Sequence, residues 1–227
     1  MSTILPRFDP REVPVIEPQD PRALIPVGRE QLKPAALRRR FAHPPEWVPE
    51  LRREQRFTDR QPAAAAVLMP VVMREEPTLI LTQRTDHLST HSGQVALPGG
   101  RVDPEDGGAV VAALREAEEE IGLDRSHVEV LGMLPEYITG TAFHVTPVVG
   151  LVQPDVHLVP NPHEVAAVFE VPLSFLMNPG HHRLHALSFE GQVRHWYSMP
   201  YDDGIEERYI WGATAGMLRN LYHFLSA

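Results

Sequence analysis

The sequence contains no cysteine and no long apolar run, and each absence excludes a class of protein. Without cysteine there is no thiol nucleophile, thiolate metal site or disulfide, so any metal must bind oxygen or imidazole ligands. The longest apolar run, residues 63–73, contains Pro70 and is far shorter than the roughly 20 residues of a membrane-spanning helix. Residues 1–7 lack the pattern of a secretory signal, and we therefore expect a cytoplasmic protein without a membrane partner.

Positive charge is also scarce. The chain has 21 Lys and Arg residues against 30 Asp and Glu, which gives a formal net charge of -9 at pH 7. Nucleic-acid binding depends on clustered basic residues that neutralise phosphates, so we expect a small-molecule substrate and no nucleic-acid partner. At 227 residues, 43% of them hydrophobic, the chain suits one folded domain with an extension and one active site. The oligomeric state stays open.

Proline punctuates residues 1–62, where it removes backbone donors and restricts the backbone angles. We predict a Pro-rich N-terminal extension there, with one short helix over residues 34–41, and a folded domain over residues 63–227. Apolar patterning predicts a hairpin of residues 63–73 and 78–84, a helix over residues 107–121 capped by Asp106, and a closing helix over residues 214–225. Further strands are predicted at residues 94–97, 128–134, 144–152, 165–171, 194–199 and 208–211. This order of elements indicates a mixed α/β fold.

The predicted helix of residues 107–121 has one apolar and one acidic face. The residues expected to pack on the sheet are Val110, Leu114, Ala117 and Ile121. The carboxylates expected to cluster on the other side are Glu116, Glu119 and Glu120, whereas Glu118 should lie nearer Arg115. Like charges at these spacings weaken a helix unless a cation compensates them, and Mg²⁺ or Mn²⁺ prefers such oxygen ligands. A solvated acidic face is the alternative, but the preceding Gly99-Gly100 turn allows close approach to a ligand.

These residues carry a specific resemblance. The strings GRVDPED at residues 100–106 and REAEEEIGL at residues 115–123 resemble the Nudix box. Asp106 stands where the box has a glutamate, and the interval to Arg115 is one residue longer. The strings LTQRTDHLSTHSGQVALPGG at residues 81–100, PNPHEV at 160–165 and YIWGATA at 209–215 resemble the coenzyme A pyrophosphatase branch of that family, in which the longer box also occurs.

The resemblance implies a Nudix-type α/β/α sandwich with a mixed central sheet that hydrolyses the pyrophosphate of coenzyme A, using Mg²⁺ or Mn²⁺. By the same resemblance, the metal ligands are the Gly100 carbonyl, Glu116, Glu119 and Glu120, with Glu116 a ligand or the base. Glu164 is the expected distal catalytic carboxylate, or an ordinary exposed loop residue. The expected substrate-binding residues are Arg84, His91 and Arg101.

Two other functions fit the same motifs. One is a Nudix pyrophosphatase for ADP-ribose, a dinucleotide or another nucleoside diphosphate derivative, because the box does not fix the substrate. The other is a Nudix-like domain that senses a nucleotide without cleaving it, although a pure binding module has no evident need for three clustered glutamates.

Other conspicuous residues are assigned structural roles. His181, His182 and His185 are interpreted as a solvated cluster and not as a zinc site, because they lack a defined ligand spacing. Phe143 and Trp211 lie in predicted strands and are expected to fill the core, although either could stack on a base.

Overall fold

The computed structural model describes residues 8–16, 24–86, 93–189 and 191–227, which contain twelve strands and four α-helices. The strands in chain order are β1 (Val15–Ile16), β2 (Ala63–Val72), β3 (Thr78–Arg84), β4 (Val95–Ala96), β5 (Gly99–Arg101), β6 (Val128–Met133), β7 (Tyr137–Ile138), β8 (Phe143–Val152), β9 (Val165–Pro172), β10 (Arg183–Phe189), β11 (Gln192–Asp202) and β12 (Glu207–Trp211). The helices are α1 (Pro34–Ala42), α2 (Ala109–Ile121), α3 (Leu173–Leu176) and α4 (Gly212–Ser226).

Eight strands form the main sheet, in which β4, β3, β2, β8 and β6 lie side by side and β5, β7 and β9 pair with β2, β8 and β3. The central strands β2 and β8 run parallel along their whole length, whereas the other pairs of this sheet are antiparallel. A parallel pair is usually buried on both faces, which explains the continuous apolar sequence of β2. The predicted mixed sheet and the predicted β2–β3 hairpin are therefore confirmed.

Alternate residues of β2 face two different apolar layers, as the period of a strand requires. Leu68 and Val72 pack with Ala117 and Ile121 of α2 on one face of the sheet. Met69 belongs to the larger core on the other face, which also contains these residues of α1 and α4: Leu37, Leu218, Leu221, Tyr222 and Leu225. The arrangement is the predicted α/β/α sandwich, with α2 on one side of the sheet and α4 on the other.

A second, antiparallel sheet in the order β1-β10-β11-β12 was not predicted as a unit, and β10 was missed entirely. It corrects the interpretation of the histidines, because His182 and His185 are 6% and 3% exposed and do not form a solvated cluster. His185 stacks on Trp196 and hydrogen-bonds Ser198 Oγ at 2.8 Å. These histidines are satisfied core residues, and mixed polarity along β10 concealed the strand.

The described part of residues 1–62 packs closely on the domain. Helix α1 confirms the predicted short helix, and its Leu37 is 1% exposed. Farther along, the backbone N–H of Leu51 donates to Asn220 Oδ1 of α4, and Asn220 returns a hydrogen bond to the Leu51 carbonyl. The division at residues 62 and 63 remains a proposal. Among the described helices, none is long and apolar enough to span a bilayer.

Candidate active site

Helix α2 begins at Ala109, two residues later than predicted, and Gly108 stands at its N-cap without a side-chain bond. Asp106 does not cap the helix, which corrects that prediction. The positive φ angles of Gly107 and Gly108, 70° and 140°, redirect the chain, and Asp106 closes a short 3-10 turn by accepting the Asp103 N–H at 2.8 Å. At its other end the helix stops at Gly122, as predicted, in a left-handed conformation with φ 65°.

The guanidinium of Arg115 pairs with several acidic side chains at the site. It donates to both oxygens of Asp106 at 2.7 and 2.9 Å, to Glu116 at 2.9 Å and to Glu119 at 3.1 Å. The Arg115 hydrogen bonds lower the pKa of Asp106 to about 2. The prediction that Glu118 lies near Arg115 is wrong, because Glu118 pairs with Arg125 at 2.7 Å.

Glu120 is turned inward, whereas the sequence placed it on the outer acidic face. It follows Ala113 and Ala117 along the buried side of α2 and is 3% exposed. One carboxylate oxygen accepts the Gly99 N–H at 3.1 Å and the other lies 3.4 Å from Arg84 Nη1. Burial raises the pKa of Glu120 to about 7, although the Gly99 N–H and Arg84 act in the opposite direction.

Glu116 lies directly against the backbone of β5. A Cβ atom at Gly100 would come within 2.5 Å of the Glu116 carboxylate, and one at Gly99 would clash with the Ala66 carbonyl. Glycine is therefore required at residue 99, where the obstacle is backbone, whereas a side chain at residue 100 would displace the Glu116 carboxylate. Burial raises the pKa of Glu116, and the nearby charges of Glu119 and Glu164 raise it further against the effect of Arg115.

Glu164 reaches the same region from the loop before β9. Its charge acts on the pKa of both Glu116 and Glu120, and its carbonyl accepts the Thr85 N–H at 3.0 Å. The loop is fixed to α2 because the Asn161 N–H donates to the Glu120 carbonyl at 2.8 Å. The structure thus brings together the predicted distal carboxylate and the glutamates of the helix.

A cavity of about 490 Å³ opens beside Gly99 and Gly100. The predicted residues Arg84 and Arg101 line it, with the Arg101 guanidinium 5.6 Å from the centroid of the Phe143 ring. His91 lies outside the described residues. Glu119 has a side chain 58% exposed, so of the three helix glutamates it is the one most open to solvent.

The cavity also contains residues that the sequence did not indicate. Phe143 and Trp211 were expected in the core but stand on the cavity wall. Glu54, Phe57 and Arg194 also line it, although the first two belong to the Pro-rich segment and Arg194 carries no motif. Only the tertiary packing of that segment against β7 and β11 brings them to the site, so no sequence signal could have identified them.

The donor set fits a hard divalent cation by its chemistry. Within the described ranges, no group of three Asp, Glu or His side chains is already arranged around a common point. Arg115 holds Glu116 and Glu119, while Arg84 lies against Glu120. Yet the charge of Glu164 raises the pKa of both Glu116 and Glu120, and that of Glu116 also raises the pKa of Glu120; a cation would relieve this repulsion.

Comparison with known proteins agrees with this architecture. The NUDIX domain model matches residues 61–209. The Uncharacterized Nudix hydrolase NudL of Escherichia coli K12 is 45% identical over 174 residues, which are 76% of this chain and 86% of that protein. A NudL protein of Shigella boydii serotype 18 matches at the same identity and coverage.

Two solved structures align over half of the chain. The Nudix hydrolase RenU from M. smegmatis is 29% identical, covers 50% of this chain and 71% of its own, and has a TM-score of 0.41. The MutT protein from Methanosarcina mazei Go1 is 20% identical, covers 53% and 83%, and has a TM-score of 0.42. The sequence match is decisive: the chain belongs to the Nudix family and is a hydrolase of pyrophosphate bonds. The predicted resemblance to this family is confirmed.

Proposed function

We propose that the protein hydrolyses the pyrophosphate bond of coenzyme A, and of related derivatives, to 4'-phosphopantetheine and 3',5'-ADP. The observation that supports this most is the position of the substrate cavity, whose wall includes Arg84, Gly99 and Gly100. These residues lie in the segment of residues 81–100 whose sequence resembles the coenzyme A branch. The cavity therefore meets the glutamate helix through the part of the chain that distinguishes this substrate.

Different side chains would bind the metal ion and the substrate. Glu116, Glu119, Glu120 and the Gly100 carbonyl would hold Mg²⁺ or Mn²⁺. When bound, the ion would neutralise phosphate charge and acidify a water molecule for in-line attack. Arg84 lines the cavity and lies beside Glu120, and a guanidinium at this place is suited to hold a phosphate oxygen.

Two carboxylates can accept the proton of the attacking water. Glu164 is suited because it comes from a separate loop and acts electrostatically on both Glu116 and Glu120. Glu116 is the other candidate, since its elevated pKa favours proton uptake, and it serves either as a ligand or as the base. A cytoplasmic location and the absence of nucleic-acid and membrane partners remain expectations from the sequence.

Product identification by mass spectrometry tests the proposal. The pure protein is incubated separately with coenzyme A, ADP-ribose and NADH, each with Mg²⁺, with Mn²⁺ and with a chelator. We expect 4'-phosphopantetheine and 3',5'-ADP to form fastest, and only with metal. Faster cleavage of ADP-ribose or NADH would contradict the substrate assignment, and no cleavage at all would favour a nucleotide sensor.

A matched pair of variants ties the activity to the site. Glu120→Gln should abolish metal-dependent cleavage, whereas Glu118→Gln should retain it because Glu118 pairs with Arg125 outside the cavity. Equal activity of the two variants would remove the support for a metal site on this face of α2.

A further inference from the structure

Arg194 of β11 is a cavity residue to which the proposed chemistry assigns no role. Its side chain is 11% exposed, and its guanidinium carbon lies 5.0 Å from the centroid of the Phe57 ring and 5.7 Å from that of Trp196. Aromatic faces attract a guanidinium and leave its edge, where the N–H donors lie, available to another group. The cation is thus held in a defined position on the cavity wall.

The structure shows no hydrogen bond from the Arg194 guanidinium to another residue of the described ranges. Among the described residues, its buried Nε has no hydrogen-bond partner. The nearest carboxylate, Glu54, lies 3.9 Å from Nη2, which is too long for a hydrogen bond. A guanidinium carries five donors, and a buried cation without hydrogen bonds is costly, so this arrangement is suited to an anion that arrives with a ligand.

Glu54 is prevented from closing on Arg194 by its other bonds. One of its oxygens accepts the Tyr137 hydroxyl at 3.2 Å, and the other accepts the Gly140 N–H at 2.9 Å. The carboxylate is therefore fixed to β7 and the following turn. Glu54 partly neutralises the charge of Arg194 but forms no hydrogen bond with its N–H groups.

A second arginine on the same cavity wall, Arg84, also has a buried donor without a partner among the described residues. That donor is its Nε. Arg84 pairs with Glu120 of α2, whereas Arg194 lies against Glu54, Phe57 and Trp196, so the two cations belong to separate parts of the site. A ligand that satisfies both must carry two separate anionic groups.

We propose that Arg194 binds a phosphate monoester of the substrate that is distinct from the pyrophosphate being cleaved, and thereby determines specificity. The planar guanidinium fork matches a phosphate, and a dianionic monoester competes better with Glu54 than a monoanion does. The identity of the group rests on the proposed function: in coenzyme A it is the 3'-phosphate, which ADP-ribose and NADH lack.

The test uses binding, not turnover. Isothermal titration calorimetry in the presence of a chelator compares 3',5'-ADP with 5'-AMP, two ligands that differ only in the 3'-phosphate. We expect the wild-type protein to bind 3',5'-ADP about 10- to 100-fold more tightly, as charge-assisted hydrogen bonds imply. Arg194→Gln should reduce the affinity for 3',5'-ADP to that for 5'-AMP, while Arg194→Lys should retain part of the preference.

Two further variants separate recognition from a structural role. Arg183→Gln, at an exposed arginine on the neighbouring strand β10, is the matched control and should keep the full preference. Glu54→Gln should increase the affinity for 3',5'-ADP several-fold because a repelling carboxylate is removed. A purely structural role predicts the opposite, namely weaker binding of both ligands in Glu54→Gln and Arg194→Gln alike.

The inference is overturned if the wild-type protein binds the two ligands equally, or if Arg194→Gln weakens both by the same factor. Coenzyme A cleavage is measured in parallel on the same preparations. A 3'-phosphate preference without cleavage contradicts only the proposed function, whereas cleavage without that preference contradicts only the role of Arg194.

Discussion

His182 provides a prediction that can be worked from the structure in detail. It is 6% exposed, its Nε2–H donates to the Leu176 carbonyl at 2.7 Å, and its Nδ1 accepts from Arg219 Nη1 at 3.1 Å. Both nitrogens are thereby committed to the neutral imidazole. Burial lowers the pKa of His182 from its ordinary value of 6.5 to about 4, and the charge of Arg219 adds to the effect.

The sign of the pH effect follows from proton uptake. Between pH 6.5 and about 4 the unfolded chain protonates this histidine and the folded protein does not, so its contribution destabilises the fold as pH falls through that window. This pKa shift lowers the free energy of unfolding by about 3 kcal/mol once the pH has fallen below the folded-state pKa of about 4. The loss is absent above the unfolded pKa.

His182→Gln removes the titration and keeps the hydrogen bonds, since an amide oxygen can accept from Arg219 and an amide nitrogen can donate to Leu176. Urea unfolding gives the free energy of unfolding of the wild type and of the variant at each pH. Compared with neutral pH, the difference between the two proteins should move in the variant's favour by about 1 kcal/mol near pH 5.5 and by about 2 to 3 kcal/mol near pH 4.5. Taking the difference cancels the titration of Glu116, Glu120 and the other carboxylates. A pH-independent difference would refute the assigned tautomer and burial of His182.

Three further predictions concern the site. Glu119→Gln and Glu120→Gln should each lower kcat by about 100-fold or more while circular dichroism stays unchanged, because ligand charge is lost but side-chain shape is kept. Gly100→Ala should displace the Glu116 carboxylate and lower kcat about 100-fold, with a modest fall in melting temperature because the flexible end of a side chain can move. Arg115→Ala should lower the melting temperature by roughly 4 to 8 °C, measured by calorimetry, because the buried carboxylate that it pairs with loses its cation.

Each of these has an outcome that contradicts its reasoning. Near-normal kcat in both glutamine variants would remove the metal assignment. Full activity of Gly100→Ala would show that Glu116 does not need its close contact with β5, and an unchanged melting temperature in Arg115→Ala would show that its ion pairs contribute nothing to stability.

Local patterns predicted the elements that support the site. The hairpin, α2 and α4 were identified because their apolar periods and their glycine or proline boundaries are encoded within short windows. The inward orientation of Glu120 was missed. Apolar periodicity predicts that a residue lies on a helix, but it does not predict which strand residues pack against that helix. The bond of Glu120 to the Gly99 N–H depends on how β5 meets α2.

The features that the sequence did not predict depend on long-range packing. Strand β10 mixes polar and apolar residues. His185 within it and His182 just before it are buried because Ser198 of β11 and Arg219 of α4 provide their partners. The Pro-rich segment carries no regular period, yet Glu54 and Phe57 reach the cavity wall through backbone bonds to Ile138 and Gly140. Such residues lie more than 80 positions from their partners, and a single sequence contains no signal for that distance.

The most direct test of the central claim is the initial rate of 3',5'-ADP release from coenzyme A with Mg²⁺, measured for wild type, Glu120→Gln and Glu118→Gln. The account predicts metal-dependent release by wild type and Glu118→Gln, with at least about 100-fold slower release by Glu120→Gln. Release that is independent of Mg²⁺, or equal in all three proteins, would contradict it.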